Sequence, residues 1–300
     1  MGPTASGKSA LALALAERFG GEIVNADSMQ VYRELRVLTA RPSAEEAVRA
    51  PHHLYGHVAA DEAYSVGRWL SDALPIVGAI RERGGLPIVA GGTGLYFRAL
   101  TQGLAEMPEA DVEVRARLRA RCEAEGAPAL HADLAKVDAE SAERLSLNDA
   151  PRILRALEIW ETSGETIGAL RAATAPALAK SEWRALALTP DRAQLYETIE
   201  RRFDAMLAAG ALDEVKRFCA NPRDPALPVM KAHGLPALSA HLRGEMTLED
   251  AADIAKRDTR NYAKRQFTWI RNQMRDWATC AEPAIEARLE AAAGLLGEDA

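Results

Sequence analysis

An α/β fold, with a parallel sheet that carries a glycine-rich phosphate-binding loop and is interrupted by a block of helices, is what this sequence predicts. Three observations carry that reading. The run Gly2-Pro3-Thr4-Ala5-Ser6-Gly7-Lys8-Ser9 leads into an Ala/Leu-rich helix. Helix-period and strand-period segments alternate up to about Tyr96. Between residues 108 and 181 no strand signal interrupts a helical pattern.

Taken in order, Ser9 to Phe19 reads as a helix closed by Gly20-Gly21, and Glu22 to Ala26 (EIVNA) as a short buried strand ending at Asp27. Ser65 to Arg83 places Trp69, Ala73, Val77 and Ile80 at helical spacing, and Pro75 within it predicts a kink or break. Gly84-Gly85 ends that helix. Leu86 to Ala90 (LPIVA) then runs as a strand into Gly91-Gly92-Thr93-Gly94, with a new helix from Leu95. Strand, helix, strand in this order implies a parallel, doubly wound sheet. From Pro108 to about Ser181, Arg, Ala, Glu and Leu dominate, so residues 108–182 read as a helical insertion in a core formed by 1–107 and 183–300. Trp183 to Thr189 (WRALALT) is the next strand, Pro190-Asp191 opens a long helix through Lys216, and Thr247 to Trp277 holds two further helical segments. A phosphate loop ordinarily hangs from the end of a buried strand. Only Met1 precedes Gly2, so the first strand is expected to be missing from this sequence.

Composition bounds the partners. At 48% hydrophobic and 27% charged, 300 residues can bury one large core or two smaller ones. A net charge of −6 rules out a global basic field, so any nucleic acid must be met by a local patch. One such patch lies between Lys256 and Arg275, where Lys256, Arg257, Arg260, Lys264, Arg265, Arg271 and Arg275 face the single acid Asp258, interleaved with Tyr262, Phe267 and Trp269. A solvated helix face with its aromatics turned to the core is the other reading of that segment. Cys122, Cys219 and Cys280 are too few and too far apart for a disulfide framework or a CxxC metal site, which suits a reducing compartment, the cytoplasm. Lys8 followed by Ala10 to Ala16 imitates a signal peptide but is short and overlaps a stricter motif. No stretch is long and apolar enough to span a bilayer.

The stricter motif is GxxxxGK[ST], matched in full by Gly2 to Ser9 and followed by the helix it requires, which makes the core P-loop NTPase-like. Its glycines let backbone N–H groups turn onto phosphate oxygens, Lys8 adds a point charge, and Ser9 can ligate Mg²⁺. Many nucleotide hydrolases end a second strand in a Mg²⁺-organising Asp. Here LPIVA ends in glycines, and the acid at a strand end is Asp27. Hydrolysis of a nucleotide is therefore disfavoured. Asp27 is followed by Ser28-Met29-Gln30-Val31-Tyr32, which could receive a planar base, although capping of the next turn is an equally good role for an Asp there. His52, His53 and His57 have no acidic or Cys partner at ligand spacing, which argues against a metal site.

Five segments, Gly2 to Ser9 (GPTASGKS), Asp27 to Tyr32 (DSMQVY), Gly91 to Tyr96 (GGTGLY), Arg202 to Val215 (RFDAMLAAGALDEV) and Thr259 to Arg271 (TRNYAKRQFTWIR), stand in the order and approximate spacing of the tRNA dimethylallyltransferase family, which the sequence resembles over nearly its whole length. The resemblance implies a monomeric enzyme that holds dimethylallyl diphosphate and Mg²⁺ in the P-loop and alkylates an adenosine flipped out of a tRNA anticodon stem-loop. Carried over residue by residue, Gly2, Pro3, Thr4, Ala5, Ser6, Gly7, Lys8 and Ser9 would hold the donor, with Ser9 the metal ligand. Asp27, Lys8 and Thr93 would be catalytic. Asp27, Ser28, Met29, Gln30, Thr93, Arg115, Pro151, Arg152, Ile153, Leu154, Arg155, Lys264, Arg265, Gln266 and Arg271 would face tRNA. Lys231 to Leu235 (KAHGL) and Leu38 to Pro42 (LTARP) depart from the usual family pattern. The Cys/His zinc finger of some eukaryotic members has no counterpart, which points to the bacterial type. Three rivals stay open: a P-loop kinase using ATP, an adenylate isopentenyltransferase acting on a free nucleotide, and a non-enzymatic P-loop protein that binds RNA.

Overall fold

The computed structural model describes residues 1–105, 107–109, 111–172 and 174–297. The chain divides into two compact units, residues 1–99 with 179–300, and residues 100–178. The expected boundaries were 107/108 and 182/183.

The first unit opens with the loop and α1 (Lys8–Phe19), β1 (Gly21–Asn25), α2 (Ala44–Arg49), β2 (His52–His53), α3 (Val66–Glu82) and β3 (Leu86–Ala90). Strands order β2-β1-β3, all parallel, with Ile23 opposite both His52 and Ile88. α3 stays helical through Pro75, so the expected break does not occur. A proline inside a helix costs one backbone hydrogen bond and a clash. Here the stripe Trp69, Ala73, Val77 and Ile80 is almost completely buried and holds the helix together across it. Trp69 stacks on Tyr96 with ring centroids 4.3 Å apart, and its indole N–H donates to Asn25 O at 2.7 Å, so the aromatic body is buried with its polar edge satisfied.

α4 (Gly94–Gln102) spans the unit boundary, and the second unit is all helical among its described residues: α5 (Val112–Glu125), α6 (Ala127–Val137), α7 (Ala139–Arg144), α8 (Ala150–Ser163) and α9 (Ile167–Ala172). Leu118, Leu130, Leu134 and Ile153 are fully buried at its centre. Each such side chain contributes about 1.5–3 kcal/mol of burial.

The chain returns to the first unit with β4 (Leu186–Leu188), α10 (Arg192–Ala208), α11 (Ala211–Cys219), α12 (Leu235–Leu242), α13 (Leu248–Gln273), β5 (Ala278–Cys280) and α14 (Ile285–Leu296). Two sequence expectations are corrected here. The helix expected to run through Lys216 ends at Ala208, because Gly210 takes a left-handed φ of +91° and starts α11 as a new element. The two segments expected between Thr247 and Trp277 are one 26-residue helix, capped by the Thr247 hydroxyl, with no Gly or Pro to break it. β4 pairs in parallel with β5 as a second, two-stranded sheet. Met1 lies along β4, its N donating to Leu186 O at 2.8 Å and its O accepting from Leu188 N at 2.9 Å. No helix among the described residues is long and apolar enough to cross a membrane.

Candidate active site

The Gly2–Gly7 loop is bent by left-handed backbone at Ala5 (φ +63°) and Gly7 (φ +83°). For Ala5 that geometry is strained, and its packing with Leu195, Ile199 and Ala263 holds it there. Ser6 N donates to Pro3 O at 3.2 Å and closes the turn. The N–H groups of Gly7, Lys8 and Ser9 have no protein acceptor among the described residues, and they stand at the positive end of α1. Such an arrangement receives an anion. Lys8 Nζ donates to Pro3 O at 3.2 Å, and burial pushes its pKa down to about 8, with Asp27 opposing the shift and Arg202 adding to it.

Two residues of distant elements brace the loop. Arg202 of α10 donates from Nη2 to Thr4 Oγ1, and Gln266 of α13 accepts from Thr4 N at 2.8 Å while donating from Nε2 to Gly92 O at 2.9 Å. Burial lowers the Arg202 pKa and Asp27 counters it, so a second cation faces the same carboxylate as Lys8. Gln266, expected to face tRNA, is only 4% exposed and has both ends of its amide engaged inside the protein. In this placement Gln266 ties the Gly2–Gly7 loop to the Gly91–Gly94 loop.

The carboxylate itself is set at the end of β1. Asn25, fully buried, accepts from Asp27 N at 2.8 Å and donates to Asp27 O and Leu54 O. Thr93 N donates to Ala26 O, and Gly91 is required opposite, because a Cβ there would sit 2.0 Å from that same oxygen. Thr93 Oγ1 accepts from Ser28 N at 2.9 Å. Asp27 Oδ1 accepts from Met29 N at 2.9 Å, so the capping reading is realised, and Oδ2 has no partner among the described residues. One oxygen builds the turn and the other is available for chemistry. Tyr55, Tyr96, Tyr262 and His233 all lie within electrostatic reach of Asp27. Burial, then Asp27, raises the three phenols well above their usual pKa, so they are neutral donors. Burial, then Arg265, lowers His233, which sits 4.6 Å from the Tyr262 ring.

Of the remaining expected RNA-facing residues, Lys264, Arg265 and Arg271 are exposed on α13. Gln30 donates from Nε2 to Thr39 O and Ala40 O and thereby holds the following loop. In the helical unit, Pro151 and Arg152 are exposed at the start of α8, with Arg152 paired to Asp149. Arg155 donates to Pro108 O, and both it and Arg115 flank the buried carboxylate of Glu158 at 3.4 and 3.5 Å. Leu154 is half-buried against the helical core. Ile153, expected to face tRNA, is buried in that core, about 100° around α8 from exposed Arg152 and about 200° from Pro151.

Sequence reasoning assigned no role to Arg202, Tyr96, Tyr262 or His233. A signal for Arg202 was present, since it stands on the stripe Leu195, Ile199, Met206 that α10 buries, where a charge needs a partner.

With this geometry in place, comparison with known proteins is decisive. The IPP transferase family model matches residues 30–273, and the isopentenyl transferase model matches residues 1–55. The tRNA dimethylallyltransferase of Bradyrhizobium sp. strain BTAi1 is 56% identical over 281 residues, 93% of this chain and 92% of that one. The chain belongs to the tRNA dimethylallyltransferase family. The Maricaulis maris member is 50% identical over 99% of this chain and 96% of its own. Among solved structures, the full-length tRNA isopentenylpyrophosphate transferase of Bacillus halodurans superposes with a TM-score of 0.70 at 35% identity, over 99% of this chain and 95% of that one. A eukaryotic dimethylallyltransferase acting on tRNA gives 0.77 at 30%, over 90% and 68%. Within this family frame, no group of three or more His, Cys, Asp or Glu among the described residues could hold a metal. The exposed Ser9 hydroxyl stands beside N–H groups that have no protein acceptor among the described residues.

Proposed function

We propose that the chain, as a cytoplasmic monomer with a P-loop NTPase-like core, transfers a dimethylallyl group from dimethylallyl diphosphate to N6 of an adenosine next to the anticodon of tRNA. The observation that carries this reading is the pairing of an anion-receiving loop, flanked by the cations Lys8 and Arg202, with a carboxylate whose Oδ2 has no partner among the described residues. A phosphotransferase can also set an acid beside its cations, to take a hydroxyl proton. The family match is what selects alkyl transfer. The allylic C–O bond breaks with its electron pair leaving on the diphosphate, which Lys8, Arg202 and the loop N–H groups stabilise as charge develops. The exocyclic amine attacks the allylic carbon, and Asp27 Oδ2 takes the proton that the new N–C bond acidifies. Thr93, bonded to Ser28, fixes the turn that holds Asp27. Mg²⁺, with Ser9 as its protein ligand, would further neutralise the leaving diphosphate. The test is to incubate unmodified tRNA with the protein, donor and Mg²⁺ and to seek the mass of one dimethylallyl group on a single adenosine. No gain, with native folding, rejects the reading.

The acceptor side carries its own expectation. If Lys264, Arg265, Arg152 and Arg155 meet RNA phosphates, tRNA affinity falls steeply with salt. The Lys264→Ala/Arg265→Ala and Arg152→Ala/Arg155→Ala double variants then each flatten that slope by roughly two counterions, with pyrophosphate affinity unchanged. Coincident slopes for all three proteins would leave a free nucleotide as the better acceptor.

A pH dependence follows from Lys8. Its pKa, down to about 8, means that the charge facing the diphosphate is lost as pH rises through that value. Pyrophosphate affinity is therefore expected to weaken between pH 7 and 9.5, and the Lys8→Arg variant, which stays charged, corrects for the ligand's own ionisation. The empty fold moves the other way: above about pH 8 the unfolded chain binds the extra proton, so this group adds stability as pH rises towards the free-lysine pKa. A parallel fall of affinity in both proteins would remove Lys8 from the donor site.

A further inference from the structure

The back of the phosphate loop is held by a side chain that the mechanism above does not use. Arg288, on α14, is 9% exposed. It donates from Nη1 to Ser6 O at 2.8 Å and from Nε to Glu282 O at 2.5 Å. Gly7 is shaped to it, since a Cβ at Gly7 would stand 2.4 Å from Nη1. α14 lies beyond residue 273, where the family match ends, and packs through Ile285, Leu289 and Ala292 against Leu11 of α1 and Leu188 of β4.

We propose that Arg288 is a positioning residue for donor binding: it pins the Ser6–Gly7 peptide from behind so that the Gly7 N–H faces the diphosphate. In a planar trans peptide the C=O and the following N–H point in opposite directions, and no peptide among the described residues is cis. Capturing Ser6 O therefore fixes the direction of the Gly7 N–H, which has no protein acceptor among the described residues. Without that anchor the peptide is free to turn, because Gly7 is open to several backbone regions. A buried guanidinium behind the loop also adds positive potential on the side from which an anion is held. Its bond to Glu282 O fixes the guanidinium plane, so geometry as well as charge is specified.

The proposal rests on the loop being a diphosphate cradle, and the test separates the two. Binding of inorganic pyrophosphate with Mg²⁺ is measured by calorimetry for the full chain, Arg288→Met, Arg288→Lys and Glu290→Gln, together with donor KM, kcat, tRNA affinity and Tm. Arg288→Met is expected to weaken pyrophosphate by about tenfold or more, the scale of one lost charge-assisted bond, and to raise donor KM more than it lowers kcat, with tRNA affinity unchanged. Arg288→Lys, which keeps the charge and one bond, is expected to fall between Met and native, and it decides the question if the Met variant does not fold. Glu290→Gln breaks only the exposed pair with Arg18 between α14 and α1 and is expected to bind pyrophosphate as native does. Native affinity in folded Arg288→Met or Arg288→Lys, or an equal loss in Glu290→Gln, overturns the assignment to Arg288. Failure of the native chain to bind pyrophosphate at all overturns the cradle reading and this proposal with it.

Discussion

Asp27→Asn is expected to lower turnover by about two to four powers of ten while both substrates bind nearly as before. The asymmetry of the carboxylate makes this a clean substitution. Oδ1 accepts from Met29 N and builds the turn, and an asparagine oxygen can do the same, whereas Oδ2, which has no protein partner among the described residues, becomes an amide that cannot take a proton. The backbone of Asp27 is held separately by Asn25, so the fold does not depend on the charge. Pre-steady-state assays with tRNA and donor, alongside equilibrium binding of each, check the split. Binding lost in proportion to turnover would make Asp27 a cap and nothing more.

Lys8→Ala and Arg202→Met are expected to cost about two to three powers of ten each in turnover, the scale found when a preorganised group facing developing charge is removed. Their joint effect should fall short of the product of the two, because both cations are proposed to serve the same leaving group and Arg202 helps to lower the Lys8 pKa. Arg202→Met carries an additional consequence. It releases Thr4 Oγ1 while the Thr4 backbone stays tied to Gln266, so the loop keeps its path and the loss reads as charge. Single-turnover rates for the two variants and the double variant separate these outcomes. Additive losses would place the two side chains in separate steps.

Much of the fold was legible because it is written in local pattern. The helix after the Gly2–Gly7 loop, the strands at Glu22 and Leu86, and the helical block after Pro108 each carry their period and their glycine stops in a few consecutive residues. Where the reading failed, a competing local signal lost to packing. Pro75 reads as a breaker, yet the buried Trp69–Ile80 stripe spans it. Gly210 was the stop that the periodicity of α10 concealed. β5 is three residues long and exists only through its pairing with β4, which no local window contains. The site divides in the same way. Lys8, Asp27 and Thr93 sit in contiguous motifs. Gln266 and Thr4 meet although they are 262 residues apart, and Arg288 meets Ser6 across 282, so their roles come from tertiary contact alone. Gln266 and Ile153 stand inside basic segments that look uniformly RNA-facing in sequence, but a helix buries one side of any such segment.

The most direct measurement of the central claim is stoichiometry in a single reaction. Unmodified tRNA, dimethylallyl diphosphate and Mg²⁺ are mixed with the protein, and pyrophosphate release and prenylated adenosine are counted together, with ATP and free AMP offered in parallel. One pyrophosphate per prenylated adenosine in tRNA, with no phosphate moved from ATP and no product on AMP, is the expected result. Transfer from ATP, or AMP prenylated as readily as tRNA, would contradict it.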